Sequence, residues 1–148
     1  GGPGAVEVLE EAARRMHMHS MTVDTEKKPL YHASAVVACN YLVTLENAAL
    51  RLAEAAGIER KQAMKAFLPL IEGAVSNMDE VGPLEALTGP VDRGDLNTVR
   101  RHLTAIEESA PDLLPLYRIL AEETIRVAQE KGTLGEAARG QLRRLLEA

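Results

Sequence analysis

"PLYHASAVVACNYLVTLENAALRLAEAAG", residues 29–57, sets the architecture of this chain. Pro29 suits the first turn of a helix, where its missing N–H leaves nothing unpaired. Gly57 suits the position just past a helix end, where the backbone turns left-handed. The run from Pro29 to Ala56 therefore reads as one long helix. Its first half, "ASAVVACNYLV", is apolar nearly all round, which predicts a central, buried element. Its second half is amphipathic, with Leu45, Ala49 and Leu52 facing inward.

Helical patterns continue on both sides. Residues 5–16 place Ala5, Leu9, Ala12 and Met16 on one face, with Arg14 and Arg15 in the last turn, where the helix dipole favours cations. A third helix starts near Arg60 and carries Ala63, Met64, Phe67, Leu70, Ile71 and Val75. Pro69 inside it should kink or split it. A short helix at 83–87 follows. The next has Leu96, Val99, Leu103 and Ile106 on one face and is closed by Pro111. Residues 112–130 read as a helix with Leu113, Leu116, Tyr117, Leu120, Thr124 and Ala128 inward, ended by Gly132. Thr133 and Glu136 then have the spacing of a capping box, before a last helix carrying Leu142, Leu145 and Leu146. Only "MHMHSMTV", 16–23, alternates as a strand does. A lone strand leaves its backbone unpaired, so its partners should lie in another chain or in a part of the protein outside this sequence.

Composition agrees with packed helices. Aromatic residues make up 3% of 148 residues and hydrophobic residues 46%, so the core must be Ala, Leu, Val and Ile. The net charge of −5 disfavours nucleic acid as a partner, since that needs a concentrated basic face. The single cysteine, Cys39, cannot form an internal disulfide and reads as an inert core residue. No run reads as apolar and charge-free enough to span a bilayer, and no signal peptide opens the chain. The expectation is a cytoplasmic protein with no membrane partner.

Two constellations are candidates for function. The first is the polar corner in "ALTGPVDRGDLNTVRRHL", 86–103. Gly89-Pro90 is a turn signal. Asp95 falls at the N-cap of the following helix, and Gly94 allows the entry to that cap. Arg93 either braces the corner by pairing with Asp92 or holds an anion beside the helix N-terminus. The second is on the long helix. Asn40, Thr44, Asn47 and Arg51 form a polar stripe at 3.6 residues per turn, and Lys28 and His32, four apart, share a neighbouring arc. Either these groups are solvated, with Asn40 bonded to a neighbouring helix, or they wall a pocket in which His32 is an acid, a base or a hydrogen-bond donor. His17 and His19 suggest two metal ligands but no third, so no metal site is expected. There is no nucleophile elbow, no catalytic carboxylate pair and no Gly-rich phosphate loop.

"KPLYHASAVVACNYLVTL", "ALTGPVDRGDLNTVRRHL" and "LYRILAEETI" resemble the C-terminal domain of a family of Rossmann-like NAD(P) oxidoreductases, a domain of unknown function. It is similar to the helical C-terminal domains of 6-phosphogluconate dehydrogenase, ketopantoate reductase and pyrroline-5-carboxylate reductase. Lys28, Tyr31, His32, Asn40, Gly89, Pro90, Arg93, Gly94 and Asp95 match the family pattern, while Ser34 and Cys39 stand where Ala and Ser are usual. The resemblance implies an all-α bundle of the 6-phosphogluconate dehydrogenase C-terminal type, preceded by a remnant helix and strand of a Rossmann domain. Residues 1–25 would be the tail of that dinucleotide-binding domain, and 26–148 the helical substrate and dimerisation domain. It implies a homodimer and a small-molecule substrate. Arg93, Asn40 and His32 would bind that substrate, with His32, Asn40 and Lys28 as catalytic candidates and Gly89, Pro90, Gly94 and Asp95 as a structural corner. NADP or NAD would belong to the full-length protein, since this sequence lacks the G-x-G-x-x-G fingerprint. His32, Asn40 and Arg93 would then face one cleft, with Lys28 at its rim. The homodimer would use the long helix and one of the last two helices. The alternative is a non-catalytic helical dimerisation or interaction module.

Overall fold

A computed structural model describes residues 2–17 and 20–148, without the side chain of Pro3. The chain is all-α: seven α-helices, with no strand among the described residues. It divides into two compact units, Gly1–Thr44 and Leu45–Ala148.

The first unit opens with α1, Pro3–Arg15. Arg14 and Arg15 close its last turn and pair with Glu11 at 3.1 and 2.9 Å. Of the expected strand, Met18 and His19 lie outside the described residues. Residues 20–24 run on without regular structure, because a strand exists only through its ladder. Asp24 then accepts from the Glu26 amide, starting a 3-10 turn at Thr25–Lys27. α2, Lys28–Ala35, follows directly, with Pro29 in its first turn.

The long helix is not regular. Residues Val36–Tyr41 form a π-helical turn before α3 begins at Leu42 and runs to Ala55. Nor is its first half buried. Neither α2 nor the π turn has a buried residue; Leu30 is 74% and Val43 70% exposed, and Cys39 is exposed rather than in a core. An all-round apolar pattern shows that a helix wants cover, but not that its own chain supplies it. The run Thr25–Ala55 is long and apolar enough, by length and composition, to cross a membrane, against the expectation that none was.

The second unit begins within α3. Gly57, at φ 82°, ends that helix, and the Ile58 amide reaches back to the Ala53 carbonyl. α4, Arg60–Ala86, is capped by Glu59 through the Gln62 amide. Pro69 does not split it. The non-helical residue is Gly82, which lets the short expected helix start at Pro83. Of the apolar residues it carries, only Ala63 is buried, with Phe67 packed beside it; Leu70 is 69% exposed. α5, Leu96–Ser109, buries Val99, Leu103 and Ile106 as its periodicity requires. α6, Leu114–Lys131, follows the expected face in part: Ala128 is buried and Leu116, Tyr117 and Thr124 are half-buried, but Ala121 and Ile125 are buried in place of Leu120, which is exposed. The Thr124 hydroxyl is taken up by the Leu120 carbonyl in its own helix. Gly132 ends α6 in the left-handed region, and α7, Glu136–Glu147, buries Leu142 and Leu146. Val99, Ile125 and Leu142 form the driest part of the core. Each such side chain contributes about 1.5–3 kcal/mol through burial.

Candidate functional site

The polar corner sits between α4 and α5, and its backbone is bonded to itself. The Arg93 amide donates to the Gly89 carbonyl (3.2 Å), Gly94 to Val91 (3.0 Å) and Asp95 to Pro90 (2.8 Å). Gly89 and Gly94 take φ of 112° and 66°, a region that favours glycine. A Cβ on Gly94 would meet Ala138 Cβ at 3.1 Å, so glycine also lets α7 approach. Asp95 caps α5 as expected: one carboxylate oxygen accepts from the Thr98 amide (3.0 Å), the other from the Thr98 hydroxyl (2.7 Å). These bonds, the hydroxyl's above all, hold its carboxyl below the ordinary carboxylate value.

The brace is not the expected one. Asp92 is buried, and its partners come from the end of α6. It accepts from the Thr133 hydroxyl and lies 3.7 Å from Lys131 Nζ. Lys131 in turn donates to the Leu87 carbonyl (2.7 Å) and the Glu85 carbonyl (3.2 Å). Thr133 is thereby taken from the expected capping box; α7 has Gly135 at its N-cap and no side-chain cap. Arg93 is exposed and makes no hydrogen bond or ion pair among the described residues. A buried aspartate beside a half-buried ammonium has its counter-charge already, so Arg93 is not needed inside.

On the long helix the polar stripe divides by role. Thr44 bonds back to the Asn40 carbonyl. Asn47 accepts from Arg60, which also pairs with Glu54, and Arg51 pairs with Asp112. Asn47 and Arg51 are thus structural. Lys28, His32 and Asn40 are exposed. The π turn changes their alignment. An α-helix advances roughly 100° per residue, which alone would leave Asn40 roughly 80° from His32. Bonding i→i+5 from Val36 onward slows the advance to roughly 80° per residue. That returns Asn40 close to the azimuth of His32, about 40° from Lys28. The three then form a row along one helix face. Leu30, Tyr31, Ser34 and Val37 line a separate open groove beside Thr22–Asp24. π turns inside α-helices are frequent at functional sites, and no spacing rule revealed this one. Lys28, His32 and Asn40 belong to the first unit and Arg93 to the second. Of the His17–His19 pair, His19 lies outside the described residues. Among those described, no group of three His, Cys, Asp or Glu side chains is placed to hold a metal.

A feature that local sequence could not show lies in the second unit. His102 on α5 and Tyr117 on α6 meet through His102 Nδ1 and the Tyr117 hydroxyl, 2.9 Å apart. Their rings are edge to face, and both line a mainly apolar cavity. The residues are 15 apart on different helices, so no periodicity connects them.

Residues 1–124 match the model of Domain of unknown function (DUF2520). The chain belongs to that family, a class of helical domain to which no activity is attached. Neither a curated protein nor a solved structure matches it.

Proposed function

We propose that the chain is the C-terminal, substrate-binding and dimerising part of an NAD(P)-dependent oxidoreductase. The observation that carries this reading is the apolar stretch from Lys28 to Val43, which has no buried residue and carries Lys28, His32 and Asn40, all exposed. The family resemblance gives His32 and Asn40 as substrate-binding residues, together with Arg93, and Lys28 as a catalytic candidate. An ammonium, an imidazole and an amide on one face suit a small polar substrate: Lys28 for its negative charge, His32 for a proton or hydrogen bond, Asn40 for orientation.

The polar corner is not built as a phosphate loop for a dinucleotide. A phosphate loop needs free backbone N–H groups, and those of Arg93, Gly94 and Asp95 are spent on the corner's own carbonyls. On the family resemblance, NADP or NAD would bind a preceding domain and supply the hydride chemistry there.

The uncovered apolar surface is assigned to a second copy. Leu30, Val37 and Val43 on one helix, and Leu70, Val75 and Val81 on α4, are all exposed, and large exposed apolar surface marks interfaces. Lipid is the poorer cover, because His32, Asn40 and Lys28 would be costly in hydrocarbon. Closed two-fold dimers are the commonest assembly.

Two measurements test the reading separately. Light scattering at micromolar concentration should give twice the 16.0 kDa chain mass; a monomeric mass overturns the dimer. The chain extended upstream in its own reading frame should carry a strand and glycine fingerprint and quench NADPH fluorescence. An unrelated upstream sequence with no quenching overturns the oxidoreductase and favours the interaction module.

A further inference from the structure

The cavity beside His102 and Tyr117 is open to a ligand of definable chemistry. It lies within the second unit, between the end of α3, α5 and α6, and has a volume of about 370 Å³. That falls within the range of small-molecule pockets. Its walls are Leu52, Ala55, Ala105 and Ile106 beside the two rings, and none of the lining residues carries a permanent charge. A carboxylate or ammonium placed there would be desolvated without a counter-charge, so the geometry disfavours an ion.

The polar pair fixes what hydrogen bond is on offer. Burial pushes the Tyr117 phenol above its ordinary value, so it keeps its O–H, which donates to the ring when the imidazole proton is on Nε2 and accepts from the ring when that proton is on Nδ1. The partner 2.9 Å away is His102 Nδ1. A neutral imidazole that accepts at Nδ1 carries its proton on Nε2. The histidine is exposed, leaving that N–H as a donor that the described structure does not use.

We infer that this cavity binds a compact, uncharged molecule with an apolar body and a carbonyl oxygen, the oxygen accepting from His102 Nε2–H. The inference does not depend on the oxidoreductase reading, since none of Lys28, His32, Asn40 or Arg93 lines the cavity.

The test is a titration of the 15N-labelled chain with 4-phenyl-2-butanone, followed by amide chemical shifts. Saturable shifts are expected at Ala55, Ala105, Ser109 and Ala110, with a dissociation constant in the millimolar range for so small a probe. His102→Phe keeps a ring and removes the donor; it should weaken binding about fivefold, the worth of one hydrogen bond. Ala105→Trp, at an exposed position, should fill the cavity and abolish the shifts while the remaining spectrum stays folded. Three results overturn the inference: no saturable shift at these amides, equal affinity in His102→Phe, or the same amides shifting with protein concentration alone. The last would show that a second copy occupies the site.

Discussion

Replacing Asp92 with alanine removes the one buried charged side chain among the described residues. Lys131 loses its counter-charge and Thr133 its acceptor. The side chains of Asp92 and Lys131 are only 10% and 13% accessible, so water cannot fully compensate either. Breaking a buried pair by deleting one partner costs about 3–5 kcal/mol. The 3.7 Å separation is the long end of contact, and Lys131 retains two carbonyls, which favours the low end, about 3 kcal/mol. For a domain of this size that lowers Tm by roughly 10 °C. Asp92→Asn keeps an acceptor for Thr133 and loses only the charge, so about 1–2 kcal/mol is expected. Urea unfolding of both variants, of Lys131→Met and of the Asp92→Asn/Lys131→Met double variant gives the coupling between the two side chains. If Asp92→Ala unfolds within about 0.5 kcal/mol of the parent, the brace at this corner is not electrostatic and the reasoning fails.

Gly94→Ala should destabilise by about 1–3 kcal/mol, because it strains a left-handed residue and presses on Ala138; a melting curve unchanged by the substitution would contradict that. Arg93→Ala should leave thermal stability within about 0.5 kcal/mol, as expected for an exposed side chain with nothing to lose, and a large Tm drop would restore the bracing role first expected of it. Asp95 and Asp112 both have folded-state carboxyls held below the ordinary 3.8, Asp95 by the Thr98 bonds and Asp112 chiefly by the Arg51 hydrogen bond. Depressed carboxyls stabilise the fold above the ordinary value and lose that contribution as pH falls through the folded one. Asp95→Asn and Asp112→Asn should therefore flatten the acid limb of a Tm-against-pH profile below about pH 4; a limb of unchanged slope speaks against both interactions.

Helix ends were legible because they are written locally. Gly57, Gly132 and Asp95 each act where their own residue type dictates, and α5 buries the stripe that its periodicity marks. Cover was not legible. The patterns of residues 35–43 and of α4 announce apolar faces, yet a pattern cannot say whether the facing surface lies in the same chain. Long-range polar partners were equally hidden. Asp92 looked matched to its neighbour Arg93, but burial decides such a contest, and Thr133 and Lys131 approach only once α6 has packed. For the candidate site, the motif match named Lys28, His32 and Asn40. Their alignment comes from a π turn that no side-chain spacing encodes, and the His102–Tyr117 pair depends on two helices being brought side by side.

Lys131 closes the end of α4 from another helix, by donating to the carbonyls of Glu85 and Leu87. Helix termini ordinarily fray on their own, opening and closing without disturbing the rest of the protein. Here the turn ending at Ala86 is fastened by a group more than forty residues further along the chain, which ties its opening to the end of α6. The Leu87 amide, bonded to the Leu84 carbonyl at 3.2 Å, should then exchange with solvent at the slow rate of the α6 core rather than the fast rate of a loose end. The passage from α4 to α5 thus belongs to the cooperative unit of the fold, and the polar corner keeps its shape for as long as that unit holds.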